Sequence, residues 1–402
     1  VKIIFAVPKM ATSTPNKPIR LVIENRLYDV TKFAKTHPGG SLILENFHDC
    51  DCTDYFYALH SDAARKMLKN MPSTPLPEED RVPESDYLKL QDKFEKEGLF
   101  KSDFRVEVLQ LFHVLGFVFL AFYWRYEYPL LATIAIAAAN LLSGWIGHMW
   151  EHSRNNCLTK WSKYFTPLVA GLSASWWSTK HNRHHVSTNE IDHDRDIRLM
   201  PYIFLWKPNK EKEAWNRGIQ HIYFAVLYSI LHIKWQIDSV VFAKNNSQRR
   251  ELILFAIHWA LKLIFIPWQV WLTAVLLSGT VLAWVVTASH QAETKLGDKR
   301  ELLQGKAQSK YQIQDFITHQ VITSRNIDIQ SWFLNYVCGG MQHQIEHHIF
   351  PRMPLYKLPL IKPLIRKYCE EKGLDFLEDG FWEIMKRNYS NIENFAKIKL
   401  DE

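Results

Sequence analysis

Three clusters of histidine hold the chemistry of this sequence. His148 and His152 stand four residues apart. His181, His184 and His185 begin twenty-nine residues beyond His152, and Gln344, His347 and His348 form a third set toward the C-terminal end. Spacings of i,i+4 and i,i+3,i+4 put these side chains on one helical face, so each cluster can aim two or three nitrogens at one point. Neutral imidazole is a ligand for iron, copper or zinc. Eight such positions are more than one tetrahedral zinc accepts and suit a two-metal centre. His290, in Val286-Thr-Ala-Ser-His290, is a further candidate ligand, with a helix-end histidine facing lipid headgroups as the plainer reading. A single HxxxH pair in a chain with 18 histidines carries little weight. Three clusters, all in one topological position relative to the apolar segments, carry much more.

Those apolar segments are the elements that must position the histidines. Val108–Trp124 runs 17 residues without a formal charge, Pro129–Ile146 runs 18, and Leu263–Ser289 runs 27 with a break at Pro267-Trp268. Leu252–Leu261 precedes the last of these, separated by Lys262. A spanning helix needs about 20 apolar residues, and the pattern predicts four spans in two tandem pairs, joined by Arg125-Tyr-Glu-Tyr128 and by the Pro267 turn. An even number of spans leaves the long basic stretches 147–251 and 291–402 on one side, with the cytosol favoured for the positive charge. Ile219–Ile233 is apolar but contains His221 and His232, and is expected to lie in the membrane interface.

Composition narrows the class. The chain has 402 residues with 47% hydrophobic and 23% charged, which excludes a disordered protein. Its mean hydropathy of −0.21 hides the segregation of apolar segments from polar ones. Fifteen Trp and 16 Tyr suit membrane–water interfaces. The net charge is +7, but the basic residues form no arm or stripe, so nucleic acid is not an expected partner. Five scattered cysteines (Cys50, Cys52, Cys157, Cys338, Cys369) without a CxxC pair argue against a disulfide framework or a zinc ribbon. Residue 1 is Val, and Met10 is read as a natural start. The domain reading is a tail at 1–17, a small α+β module at 18–71 with strands at Ile19–Ile23 and Leu27–Val30, a proline-rich acidic linker at 72–105, and an all-α membrane domain at 106–402. Competing chemistry fails on spacing. Glu151 is misplaced for a zinc-protease HExxH, the spans lack the carboxylates of a carboxylate-bridged bundle site, and no GxGxxG, Walker or GxSxG motif occurs.

The three clusters resemble the histidine boxes of membrane fatty acid desaturases, and Gln344 in place of a histidine at the head of the third box resembles the front-end group. The surrounding residues agree: Trp176-Trp-Ser-Thr-Lys-His-Asn-Arg-His-His185, Thr188-Asn-Glu-Ile-Asp-His-Asp194, and Gly339-Gly-Met-Gln-His-Gln-Ile-Glu-His-His-Ile-Phe-Pro351. Two departures are Met149, where the group commonly has an acidic residue, and His343. Thr36-His37-Pro-Gly-Gly40 resembles the haem motif of cytochrome b5, with His60 as the second axial ligand and His48 as its rival. The glycines would let the backbone pass close to the porphyrin edge. The resemblance implies a di-iron centre held by His148, His152, His181, His184, His185, His347 and His348, with His290 and a weak contribution from Gln344, and haem b held by His37 and His60. It implies O2 and a fatty acyl chain (CoA or lipid ester) as substrates, a cis double bond as product, NADH-cytochrome b5 reductase as electron donor, and residence in the endoplasmic reticulum membrane. Trp145, Trp176 and Trp177 are expected along an acyl tunnel or as interface anchors. Within this frame the substrate is left open between a delta-5/delta-6-type acyl chain and a delta-8-type sphingoid base. A hydroxylase and, from another class, a membrane-anchored haem electron carrier with a dead iron site remain as alternatives.

Overall fold

The computed structural model describes residues 18–153, 159–208, 214–297 and 307–398. The expected tail and Cys157 lie outside them. The N-terminal module starts with strands Arg20–Ile23 and Arg26–Asp29, paired antiparallel from Arg20↔Asp29 to Ile23↔Arg26. Both turn residues, Glu24 and Asn25, have positive φ (51° and 56°), as a two-residue hairpin that follows the strand twist requires. Four short helices follow: Thr31–Ala34, Ser41–Asn46, Thr53–Leu59 and Asp62–Lys69, the last capped by the Ser61 hydroxyl accepting from the Ala64 N–H. Thr74–Pro75 then returns as a third, edge strand on Arg26–Leu27, a position where proline's missing N–H is tolerated. The stretch 72–105, taken from its prolines and charges as a linker, is therefore packed structure. It supplies that strand, the buried Leu76, and helix Asp86–Lys96, which buries Tyr87 and Phe94.

The rest is helical. Among the described residues three helices are long and apolar enough to cross a membrane: Phe104–Trp124, Pro129–His152 and Trp268–Ala288. The first turns Leu109, Phe112, Leu115, Phe119 and Tyr123 outward, while Pro129–His152 is largely buried and packs against both of the others. Pro129 sits in the first helical turn, where a missing N–H does no harm. Arg249–Phe265 is 17 residues long and joins Trp268–Ala288 through Ile266-Pro267. The segment expected in the interface forms Gln220–Ser229 and the start of Leu231–Asn245. Its Ile222 and Val226 are exposed, and its His232 is buried between the Ser278 hydroxyl and the Ala170 carbonyl.

Candidate metal centre

His148 and His152 occupy the last turn of the central helix Pro129–His152. His181, His184 and His185 lie on Ala174–Val186, whose start is fixed by the Ser173 hydroxyl accepting from the Trp176 N–H. Ser173 and Ser175 both donate to Glu251, tying this helix to Arg249–Phe265. His347 and His348 lie on the short helix Gln344–Ile349, and His290 stands two residues past the end of Trp268–Ala288. All eight histidines are buried. The structure gathers them into two groups: His148, His152, His181, His185 and His347, and His184, His290 and His348. Within each group one nitrogen of every ring lies within 4.8 Å of the others. The groups adjoin, since the His185 and His348 rings are 4.3 Å apart between centroids. Gln344 is buried one turn before His347 and His348. His343 belongs to neither group.

In the five-histidine group ring nitrogens converge on one another. His148 Nε2 lies 2.7 Å from His181 Nε2, and His185 Nε2 lies 3.1 Å from the same atom. Both nitrogens of His347, Nε2 of His348 and Nδ1 of His148 are buried without a hydrogen-bond partner. Buried polar atoms are rarely left so, and a set of convergent imidazoles with orphaned nitrogens fits metal ions. In the three-histidine group the outward nitrogens are anchored. His184 Nδ1 meets Asp194 Oδ2 at 2.8 Å, His290 Nδ1 meets the Thr323 carbonyl at 3.0 Å, and His348 Nδ1 meets Gln320 Oε1 at 3.1 Å. Such partners fix the tautomer and leave Nε2 with its lone pair for a metal. Asp194 itself is held by the Asn189 and Asp196 N–H groups.

Electrostatics keep most of these rings neutral. Burial, and after it the neighbouring histidines, holds His181, His185, His347 and His348 well below the usual imidazole range. His290 is brought down to about 3 by burial and then by His184. His184 is the exception: burial works to lower it, but the Asp194 charge and hydrogen bond prevail and raise it. Nothing in the sequence alone assigns a role to Asp194, Gln320 or Thr323. An acidic run shortly after a histidine cluster was the available signal for Asp194; the other two come from a distant helix.

In the N-terminal module His37 and His60 face each other, their ring centroids 6.0 Å apart. His37 Nδ1 bonds the Gly40 carbonyl and His60 Nδ1 the Phe56 carbonyl, so Nε2 is the nitrogen each ring would offer to an ion between them. Two imidazoles bound across one ion at about 2 Å per bond keep close to this spacing, so the pair fits a haem iron. His48 is turned elsewhere, to Arg20 and Asp49. The module packs onto the body that carries the two histidine groups. The Tyr55 hydroxyl meets His319 Nδ1 at 2.9 Å, His319 Nε2 meets the Thr188 carbonyl, and the Thr188 hydroxyl lies 3.3 Å from His348 Nδ1.

Two cavities flank Trp145. One of about 30 Å³ lies against His148, with Asn140, Trp177 and His232 in its wall. The other, about 340 Å³, lies between Phe104–Trp124 and the Gly339-Gly340 turn, with Leu109, Met149 and Tyr356 in its wall. Trp145 lines both, and its Nε1 donates to the Val337 carbonyl. A Cβ on Gly339 (φ +58°) would lie 2.4 Å from the indole Cδ1, so the turn at this glycine makes room for the ring. Trp145 and Trp177 thus each line a cavity. Trp176 lines neither cavity and is buried against Trp177 and Trp235.

Comparison with known proteins accords with both sites. The fatty acid desaturase family model matches residues 124–379, and the cytochrome b5-like haem/steroid binding domain model matches residues 9–73. A Delta(6)-fatty-acid desaturase of Caenorhabditis elegans is 27% identical over 94% of this chain and 96% of its own length. An acyl-lipid 8-desaturase of Rebecca salina is 27% identical over 96% and 94%. A Delta(8)-fatty-acid desaturase of Euglena gracilis is 28% identical over 89% and 90%.

Proposed function

The chain belongs to the fatty acid desaturase family and carries a cytochrome b5-like module, and from that premise we propose that this oxidoreductase is an O2-dependent front-end desaturase. The observation that carries the reading is the pair of adjoining buried groups, five histidines and three, with no carboxylate in either. His148, His152, His181, His185 and His347 would hold one iron. His184, His290 and His348 would hold the other, with Gln344 close enough on its helix to contribute through its amide oxygen or a water. Bound there, the irons would supply an oxidant able to break methylene C–H bonds, which side-chain acid–base chemistry cannot do. The balance is one O2, two electrons and two protons consumed, with two waters and one cis double bond formed.

Haem held by His37 and His60 would pass on electrons from NADH through a separate cytochrome b5 reductase. The acyl chain, as CoA thioester or lipid ester, would reach the irons past Trp145 through the two cavities. We place the enzyme in the endoplasmic reticulum membrane with four spans, Arg249–Phe265 being the fourth, and with both metal sites facing the cytosol.

The test is the fatty-acid profile of yeast expressing the chain and fed a panel of acyl precursors, read by gas chromatography–mass spectrometry. A product two mass units below one precursor is expected, with its new double bond on the carboxyl side of any existing one. His185→Ala should abolish that product while leaving the haem spectrum intact; product from this variant would sink the di-iron assignment. A product sixteen units heavier would mean a hydroxylase. Product only from sphingoid bases would move the substrate class, and no product from either would point to an electron carrier.

A further inference from the structure

The second-box helix carries a cation that the metal centre does not use. On Ala174–Val186, residue 183 lies roughly opposite residues 181 and 185, since successive residues advance about 100°. Arg183 therefore leaves the helix away from the five-histidine group and toward the N-terminal module. Its Nη2 donates a long hydrogen bond, 3.4 Å, to the Gly39 carbonyl. A Cβ built on Gly40 (φ +87°) would lie 2.8 Å from the same Nη2. The guanidinium is thus pressed against the Gly-Gly turn that follows His37. Arg183 is only 7% exposed, and its Nε is buried without a partner. Among the described residues no carboxylate forms an ion pair with it, and the charge that acts on it is the like charge of Arg195.

A buried guanidinium with one long bond to a neutral carbonyl is an expensive arrangement, because buried charge is normally paired. The neighbouring site offers the missing anion. Haem b carries two propionate carboxylates at its edge, and His37 and His60 stand ready to hold that group. We propose that Arg183, a residue of the desaturase domain, binds a propionate of the haem held by the N-terminal module. The two domains then share one haem site: haem binding and domain docking reinforce each other, and the contact lies on the helix that carries three of the metal-binding histidines. Planar, bidentate recognition of a carboxylate is what arginine does better than lysine.

This inference rests on the haem reading of His37 and His60, and the experiment separates the two. Full-length apoprotein is reconstituted with haem b or with haem dimethyl ester, in which both carboxylates are capped, and haem loss to apomyoglobin is timed for wild type, Arg183→Gln and Arg183→Lys. Haem b should leave Arg183→Gln about tenfold faster than wild type, the scale of a charge-assisted hydrogen bond, with Arg183→Lys between them. With the dimethyl ester the three proteins should release haem at the same rate. Equal rates with haem b would overturn the proposal. So would a tenfold difference that persists with the ester, which would make Arg183 a packing residue. If Arg183→Gln fails to fold, the Arg183→Lys and wild-type pair carries the same comparison. No Soret band in wild type would overturn the haem reading itself.

Discussion

The proposed metal centre depends on single residues that hold histidines still. His184, His290 and His348 each have a named acceptor on Nδ1, and of these Asp194 is the only charged one. Its carboxylate also accepts from two backbone N–H groups, so it is rigid as well as charged. Asp194→Asn keeps the size but removes the charge that favours a basic Nε2 on His184. Substitutions at such positions typically weaken metal binding about 10–100-fold. The expectation is loss of iron from Asp194→Asn after dialysis against a chelator that leaves wild type loaded, with the haem absorbance unchanged. Equal iron in both proteins would show that His184 needs no carboxylate. Asp194 lies ten residues after His184 in the loop that follows the helix, and no periodicity ties it to the ring it holds. The box histidines were legible because helical spacing encodes a shared face. The acceptors behind them were not, because spacing says nothing about a loop that folds back.

At the scale of elements, the first two strands and the apolar helices were also legible, since short apolar stretches and uncharged runs are local signals. The observed strands differ by a residue at their ends from the expected ones. Contacts between modules were not legible: Tyr55 and His319, or Gly39 and Arg183, are far apart in sequence and join only after both domains fold. One such junction is acidic. Asp54, on Thr53–Leu59, is half-buried with its Oδ1 enclosed, and desolvation, then Asp315, Asp51 and Asp86, raise its carboxyl from 3.8 to about 7 against the opposing hydrogen bond from Ser85. Between those two values the folded chain keeps a proton that the unfolded chain has released. Stability therefore falls as pH rises from about 4 to 7 and loses no more above that. Asp54→Asn removes the titration while keeping an acceptor for Ser85. Thermal unfolding in detergent should show the variant and wild type alike near pH 4 and the variant about 2 kcal/mol more stable at pH 8. A wild-type advantage at pH 8 would mean that the Asp54 charge is compensated by a group outside this junction.

At the scale of the whole molecule, the histidine groups constrain how the chain threads the bilayer. His148 lies in the last turn of Pro129–His152, His290 follows Trp268–Ala288, and the two groups that hold these rings adjoin where the His185 and His348 rings meet. The centre is therefore on one side of the membrane. If Trp268–Ala288 crosses, the chain between His152 and His290 must cross once more to return to that side. Arg249–Phe265 is the element placed to do so: 17 residues rise about 25 Å, and its far end meets the next helix through Ile266-Pro267. On that condition the chain has the four spans proposed above, with Arg125–Tyr128 and the Pro267 turn on the side opposite the histidine groups. Single cysteines test this in sealed microsomes with a membrane-impermeant maleimide, in a Cys157→Ser background since the four described cysteines are buried. Lys101→Cys should label in intact vesicles, while Glu127→Cys and Trp268→Cys should label only after permeabilisation. Labelling of Trp268→Cys in intact vesicles would mean that Arg249–Phe265 does not cross, and Trp268–Ala288 could not then be a full span without carrying His290 away from His184 and His348.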